Sequence, residues 1–153
     1  MTTTFEADLD MMFMAHASFQ AELPHVKKLK GLTTFSLVFQ PLVPSATKHH
    51  ARNAMGIETE KCLIILSVTS MWTLESADDG IKRAMQQIIN RVETQAKDKG
   101  LFHPYKYANY CDATQDPFVG YGKRRQWLEL VSRKYDPRGV FQRGVPGGHK
   151  LWQ

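Results

Sequence analysis

Between Ser76 and Gly100 the residues Ile81, Met85, Ile88, Ile89, Val92 and Ala96 recur at intervals of three and four, and every other face of that segment is polar. This spacing predicts one long helix with a single apolar stripe, capped by Ser76 and stopped by Gly100. The segment just before it, Lys61 to Trp72 (KCLIILSVTSMW), is apolar at both odd and even positions, the pattern of a strand buried on both faces in the middle of a sheet. A helix with one stripe beside a central strand has to pack on that sheet. The fold class expected is therefore α+β, an antiparallel sheet with helices packed on one face.

The remaining elements fit around that pair. Phe5, Leu9, Met12, Phe13, His16 and Phe19 have helical spacing, and Thr3 and Glu6 stand in capping-box register, so residues 5 to 20 read as an amphipathic helix. Pro24 is placed to open a second short turn that Gly31 ends, which makes residues 1–30 a helical N-terminal extension. From Leu32 to Val43 the chain alternates, with Phe35, Leu37 and Phe39 on one face and Ser36, Val38 and Gln40 on the other; Pro41 should end this strand. Residues 44 to 57 read as loop and Tyr105 to Tyr110 as a further, aromatic strand. A last helix is expected from Lys123 to Tyr135 with Trp127, Leu128 and Val131 inward, followed by a turn-rich tail.

At 153 residues the chain has the size of one domain, 1–153, able to bury a core without disulfides. Cys62 and Cys111 lack metal-ligand spacing and read as reduced thiols, which points to the cytoplasm; no metal site is expected. No apolar run approaches the ~20 residues a bilayer needs, so no membrane partner is expected. The net charge of +5 concentrates in Lys27-Lys28-Leu29-Lys30 and Lys123-Arg124-Arg125, near predicted helix ends, where cations complement the helix dipole or stay solvated. No nucleic-acid motif accompanies them. So few strands leave a face or an edge of the sheet uncovered, and a second copy would cover it; a homodimer is expected.

The segment 31–151 carries a string of ordered motifs. They are Phe35-Ser36-Leu37-Val38-Phe39-Gln40-Pro41-Leu42, Asn53-Ala54-Met55-Gly56-Ile57, the strand ending in Trp72, and Tyr107-Ala108-Asn109-Tyr110-Cys111-Asp112. Gln115-Asp116-Pro117, Tyr121-Gly122, Lys134-Tyr135-Asp136-Pro137-Arg138-Gly139 and Val145-Pro146-Gly147-Gly148-His149 follow. In these residues the chain resembles the C-terminal, substrate-side part of fungal FAD-linked oxidases of the berberine-bridge-enzyme type. In such oxidases the flavin is held largely by a domain N-terminal to the matched part, so the resemblance implies that this chain holds no cofactor by itself. One departure stands out: Ala51-Arg52 replace the two glycines common in the family, which alters the space beside a flavin or substrate.

The resemblance places Tyr107, Asn109 and Tyr110 beside a pocket. Phenol hydroxyls and an amide there can bind or polarise a substrate carbonyl with no cofactor, or they can simply pack the core. His103, beside this segment, and His16, on the first helix, are candidate proton-transfer groups, each with the plainer reading of a surface or turn histidine. Gln40, Asn53, Trp72 and Tyr105 are candidate wall residues. His49-His50 reads as solvated loop, and Cys111 as a structural thiol. Competing functions follow from this reading. One is a cofactor-independent cyclase or isomerase acting on a largely apolar small molecule, including a pericyclic closure of the Diels–Alder kind in secondary-metabolite biosynthesis. The other is a non-catalytic subunit that completes a flavin oxidase in trans, or a small-molecule binding module.

Overall fold

The computed structural model of the chain describes residues 1–47, 53–57 and 59–152. Its centre is a four-stranded antiparallel sheet of order β2-β3-β1-β4, formed by β1 (Thr2–Glu6), β2 (Leu32–Leu42), β3 (Leu63–Trp72) and β4 (Phe102–His103). Strand β3 is central as its two-sided apolarity requires, and Leu63 to Val68 are all buried. Helices α1 (Leu9–Val26) and α3 (Asp78–Asp98) pack on one face, against the row Phe5, Ile64, Leu66 and Val68. Every residue of the expected α3 stripe is buried. A four-residue turn of helix, α2 (Pro44–Thr47), follows β2, and α4 (Lys123–Tyr135) lies where its spacing predicts.

The N-terminus departs from expectation. Residues Thr2–Glu6 are a strand, not the start of a helix, with Thr3 opposite Leu66 and Phe5 opposite Ile64. A run of three threonines and a phenylalanine is stiff at χ1 and suits a pleated ladder, and β3 offers it a free edge. Helix α1 starts later, capped by Asp8, whose carboxylate accepts from the Met11 N–H at 2.8 Å. Its buried face is Met11, Ala15, Ser18, Phe19, Glu22 and Val26, rotated away from the predicted stripe, and Leu9 and Phe13 are 67% and 65% exposed. Pro24 sits inside the last turn of α1 instead of opening a new one.

Three further differences have local causes. Pro41 does not end β2, because Met1 and Val68 exchange backbone hydrogen bonds (3.0 and 2.9 Å). The alternate β3 residues therefore face β2, which leaves the odd residues of β2, Pro41 among them, directed to the open edge where no N–H is needed. Helix α3 begins at Asp78 after a short 3-10 turn, Glu75–Ala77, with Ala77 at the cap in place of Ser76. In α4 no residue is fully buried, and Trp127 is exposed while Leu128 and Val131 are half-buried. The tail closes in a single π-turn, Val140–Gly144.

Among the described residues, no helix is long and apolar enough to cross a membrane.

Candidate functional site

The second face of the sheet, away from α1 and α3, is covered over only part of its area. Two irregular segments do this, the 53–57 loop and residues 104–121, and they form a small second core of Ile57, Leu63, Ile65 and Tyr105 with Leu42, Met55, Tyr107, Tyr110 and Tyr121 at its margin. Tyr105 to Tyr110 is not a strand: Ala108–Tyr110 is a 3-10 turn. The reason lies in β1. Its outward backbone groups meet Leu101 O (from the Glu6 N–H, 2.8 Å) and His103 in β4, but at Thr2 they meet a side chain. The buried Gln115 amide accepts from the Thr2 N–H at 2.9 Å and donates to the Thr2 carbonyl at 2.8 Å, imitating one residue of a strand. The edge that 105–110 would have joined is thus filled, and the aromatic segment curls over the sheet.

That curl brings several predicted residues together. Tyr110 donates its hydroxyl to Gln40 Oε1 on β2 at 2.9 Å. Asn109 Nδ2 donates to the Tyr107 hydroxyl at 2.8 Å, and the Tyr107 and Tyr110 rings meet edge to face at 4.8 Å. Tyr105 is buried with its hydroxyl 3.5 Å from Met55 Sδ, and burial holds its pKa above the ordinary phenol range. Asn53 closes its own loop, its amide donating to Ile57 O at 3.1 Å and accepting from the Ile57 N–H at 3.4 Å, so it supports the wall instead of lining it. The rest of its predicted neighbourhood, His49 to Arg52, lies outside the described residues.

A cleft of about 280 Å³ runs from this cluster around the edge of β3, along Thr69 to Trp72, the stretch that β1 does not reach. Asn109, Tyr110, Cys111 and Asp112 form one wall, and Trp72, Met85 and Lys82 the other. Trp72 is held by its indole N–H, which donates to Asp78 Oδ1 at 2.6 Å, and Asp78 also pairs with Lys82 at 3.0 Å. Both hydrogen bonds keep the Asp78 carboxyl below its usual range. Asp112 is likewise held low, first by the Thr114 N–H that donates to it, and burial pushes the Cys111 thiol up, away from the reactive thiolate.

Sequence reasoning missed the most telling group in the cleft. Ser67, 2% exposed and directed to the second face opposite Val38 and Thr2, is among the residues lining the cleft, and its buried hydroxyl has no hydrogen-bond partner among the described residues. A buried hydroxyl left unpaired costs about 1–3 kcal/mol, so a ligand hydroxyl or carbonyl that paired with it would recover that cost. Nothing in the apolar run LIILSV marks Ser67 as other than a strand residue; the register alone turns it to this side.

The two predicted histidines are placed elsewhere. His16 is exposed on α1, 3.0 Å from Gln20 Nε2, and α1 packs on the opposite face of the sheet from the tyrosine cluster. His103 in β4 accepts from the Tyr105 N–H through Nδ1 at 3.2 Å and is not among the residues lining the cleft. Burial lowers its pKa, with the Glu6 carboxylate opposing. A folded-state pKa below the unfolded one means the unfolded chain takes the proton first. Stability contributed by neutral His103 is therefore complete above pH ~6.5 and is lost as the pH falls below it. His103→Gln is expected to flatten the loss of urea midpoint between pH 7.5 and 5.5; an unchanged slope would remove His103 from this role.

Among the described residues no group of three or more His, Cys, Asp or Glu is positioned to hold a metal. No family model matches the chain, and no solved structure does. Curated relatives do match. The chain is 34% identical over 159 aligned residues to the FAD-dependent monooxygenase tpcD of Cochliobolus heterostrophus, across 98% of this chain and 31% of the relative. It is 32% identical to the FAD-dependent monooxygenase FUP4 of Fusarium proliferatum, with the same coverage. It is also 32% identical to the bifunctional solanapyrone synthase of Alternaria solani, across 99% of this chain and 31% of that one. The relatives are fungal proteins, and the chain spans about a third of their length.

Proposed function

We propose that this chain is a substrate-side unit of the berberine-bridge type, acting in fungal secondary-metabolite biosynthesis. In this reading it binds a largely apolar, carbonyl-bearing small molecule in the cleft along β3 and promotes its cyclisation or isomerisation. The observation that carries the reading is the buried Ser67 hydroxyl, unpartnered among the described residues, on a residue lining a cleft that also presents Asn109, Tyr110 and an indole. An apolar molecule lying over Trp72 and Met85 would offer its carbonyl to Ser67 Oγ–H or to the second N–H of Asn109. Asn109 gives its other N–H to Tyr107, and Tyr110 gives its proton to Gln40, so these side chains are already oriented before a ligand arrives. A hydrogen bond to a carbonyl withdraws electron density from a conjugated π-system, and holding two reacting ends at contact distance contributes on the order of 7–11 kcal/mol in well-oriented cases. A ring closure by this route asks for no nucleophile and no charged base. One relative is named a bifunctional synthase and not a monooxygenase.

The relatives named for FAD make a dinucleotide worth testing against the residues here. A pyrophosphate seeks free N–H groups and positive charge at a helix start. The starts of α1 and α3 instead carry Asp8 and Asp10, and Asp78 and Asp79, and at α4 the Arg125 guanidinium is tied to Asp116 at 2.9 Å and Glu129 at 3.4 Å. The tyrosine and amide wall suits the edge of a planar ring, but the described residues do not fit a whole FAD. The second reading is completion of a flavin oxidase in trans; two of the relatives are named FAD-dependent monooxygenases.

The test is chromatographic. Purified chain is incubated with linear polyenes that carry a conjugated ketone or aldehyde, and the cyclised product is followed against buffer. Turnover above buffer is expected, and Ser67→Ala is expected to reduce it about tenfold, the effect of one neutral hydrogen bond of ~1.4 kcal/mol. No turnover alone, with yellow protein and oxidation on co-expression with a separate FAD-binding domain, would replace the closure reading with the second.

A further inference from the structure

Strand β2 is the outer strand of the sheet, and between the irregularity at its start and Pro41 near its end it lacks the features that keep an edge single. It is 11 residues long, and from Leu32 to Val43 it contains no Lys, Arg, Asp or Glu. Exposed edges are ordinarily blunted by charge, proline, shortness or bulges, since their free N–H and C=O groups template another strand. The sole irregularity in its pairing with β3 lies at its start, between Leu32 and Thr34. Phe35, Leu37 and Phe39 sit on the helix-covered face yet are only partly buried, and Val38, on the other face, is 41% exposed.

We infer that the occupant of this edge is a second copy of the chain, with two β2 strands antiparallel about a two-fold axis at Leu37 to form a continuous eight-stranded sheet. Three observations converge on self-pairing. First, the odd residues of β2 direct their N–H and C=O groups outward, so Leu37 meets the partner's Leu37 as a hydrogen-bonded pair, with Phe35 opposite Phe39 on either side. Second, the pattern Phe-x-Leu-x-Phe reads the same in both directions, so each ring falls beside a ring on the same face and the core layer continues across the axis. Third, a two-fold axis through a strand brings any charge near its own copy. A strand free of charge is what such an axis tolerates and what an electrostatically selected foreign strand would not require. Pro41, at the margin of the overlap opposite Thr33, forfeits only the bond its nitrogen cannot donate. This inference is independent of the functional reading, because it involves the edge and not the cleft.

The register makes a charge-swap test. On the exposed face Ser36 of one copy stands opposite Val38 of the other, twice in the dimer. Sedimentation equilibrium of the wild-type chain is expected to show a dimer that dissociates on dilution. Ser36→Lys with Val38→Lys places like charges opposite each other and is expected to raise the dissociation constant tenfold or more, an effect that shrinks at high salt. Ser36→Glu with Val38→Lys places Glu opposite Lys and should recover the dimer. Circular dichroism verifies that the variants remain folded. Amide exchange in the wild type gives a readout free of substitutions: the Phe35, Leu37 and Phe39 amides should be protected at high protein concentration and lose protection on dilution. A wild-type monomer at all concentrations, unprotected amides at those three residues, or a Glu/Lys variant as weak as the Lys/Lys one overturns the inference.

Discussion

Gln115→Ala is expected to destabilise the fold by about 2–4 kcal/mol, read as a lowered midpoint in urea unfolding, a large effect for removing a polar side chain. The cause is that Gln115 does the work of a strand. Its Oε1 accepts from the Thr2 N–H at 2.9 Å and from the Asp112 N–H at 3.3 Å, and its Nε2 donates to the Thr2 carbonyl at 2.8 Å. Thr2 is fully buried, so the truncated side chain would leave a backbone donor and acceptor unpaired away from water, each costing about 1–3 kcal/mol. The same change frees the 108–115 segment from β1, so the cleft wall formed by Asn109 to Asp112 should loosen together with the fold. Faster amide exchange at Thr2 and Thr4 would mark that opening. A loss below ~0.5 kcal/mol would mean that water replaces the amide without penalty and that the segment is held by other contacts.

Gly120→Ala is the second large effect, about 3 kcal/mol, and it has a different origin. A Cβ at position 120 would lie 2.3 Å from the Pro104 carbonyl oxygen, 2.7 Å from its carbon and 2.8 Å from Tyr105 Cα. These are backbone atoms, so no rotamer change relieves the clash, and the two covering segments have to separate. Separation would expose Tyr105 and Ile65, which are now buried beneath them. Gly144 makes the control. Its φ is not positive and its would-be Cβ meets only Val140 Cγ1, at an ordinary 3.8 Å, so Gly144→Ala is expected to cost less than ~0.5 kcal/mol. Thermal unfolding of the two variants side by side checks the prediction: equal losses would show that close approach at Gly120 is not what joins the segments.

How much of this was legible depended on whether a residue's role was local. The α3 stripe was readable because all of its apolar side chains face one surface, and its polar residues face water. Helix α1 was read with the wrong face because its buried side includes Ser18 and Glu22. Ser18 donates to the Met14 carbonyl at 2.9 Å, and the Glu22 carboxylate accepts from Arg91 of α3 at 2.5 Å. A carboxylate satisfied across a helix pair is invisible to hydrophobic periodicity, whereas Leu9 and Phe13 count toward a stripe even though they face solvent. Of the candidate residues, Asn109, Tyr110 and Trp72 line the cleft and Gln40 accepts from Tyr110, whereas His16 and His103 do not line it.

By itself the sequence determined the elements whose causes lie within one turn or one strand: the central two-sided strand, the long striped helix, α4, and with them an α+β sheet covered by helices. Tertiary structure decided which edge each strand took. Thr2–Glu6 became a strand because β3 had a free side, and Tyr105 to Tyr110 did not because Gln115 had already filled the place beside Thr2. Ser67 became a cleft residue through register alone, since a shift of one position would have turned its hydroxyl into the helix-covered face. Hydrogen bonds between strands distant in the chain have no local signature, and in this protein they set the shape of the candidate site.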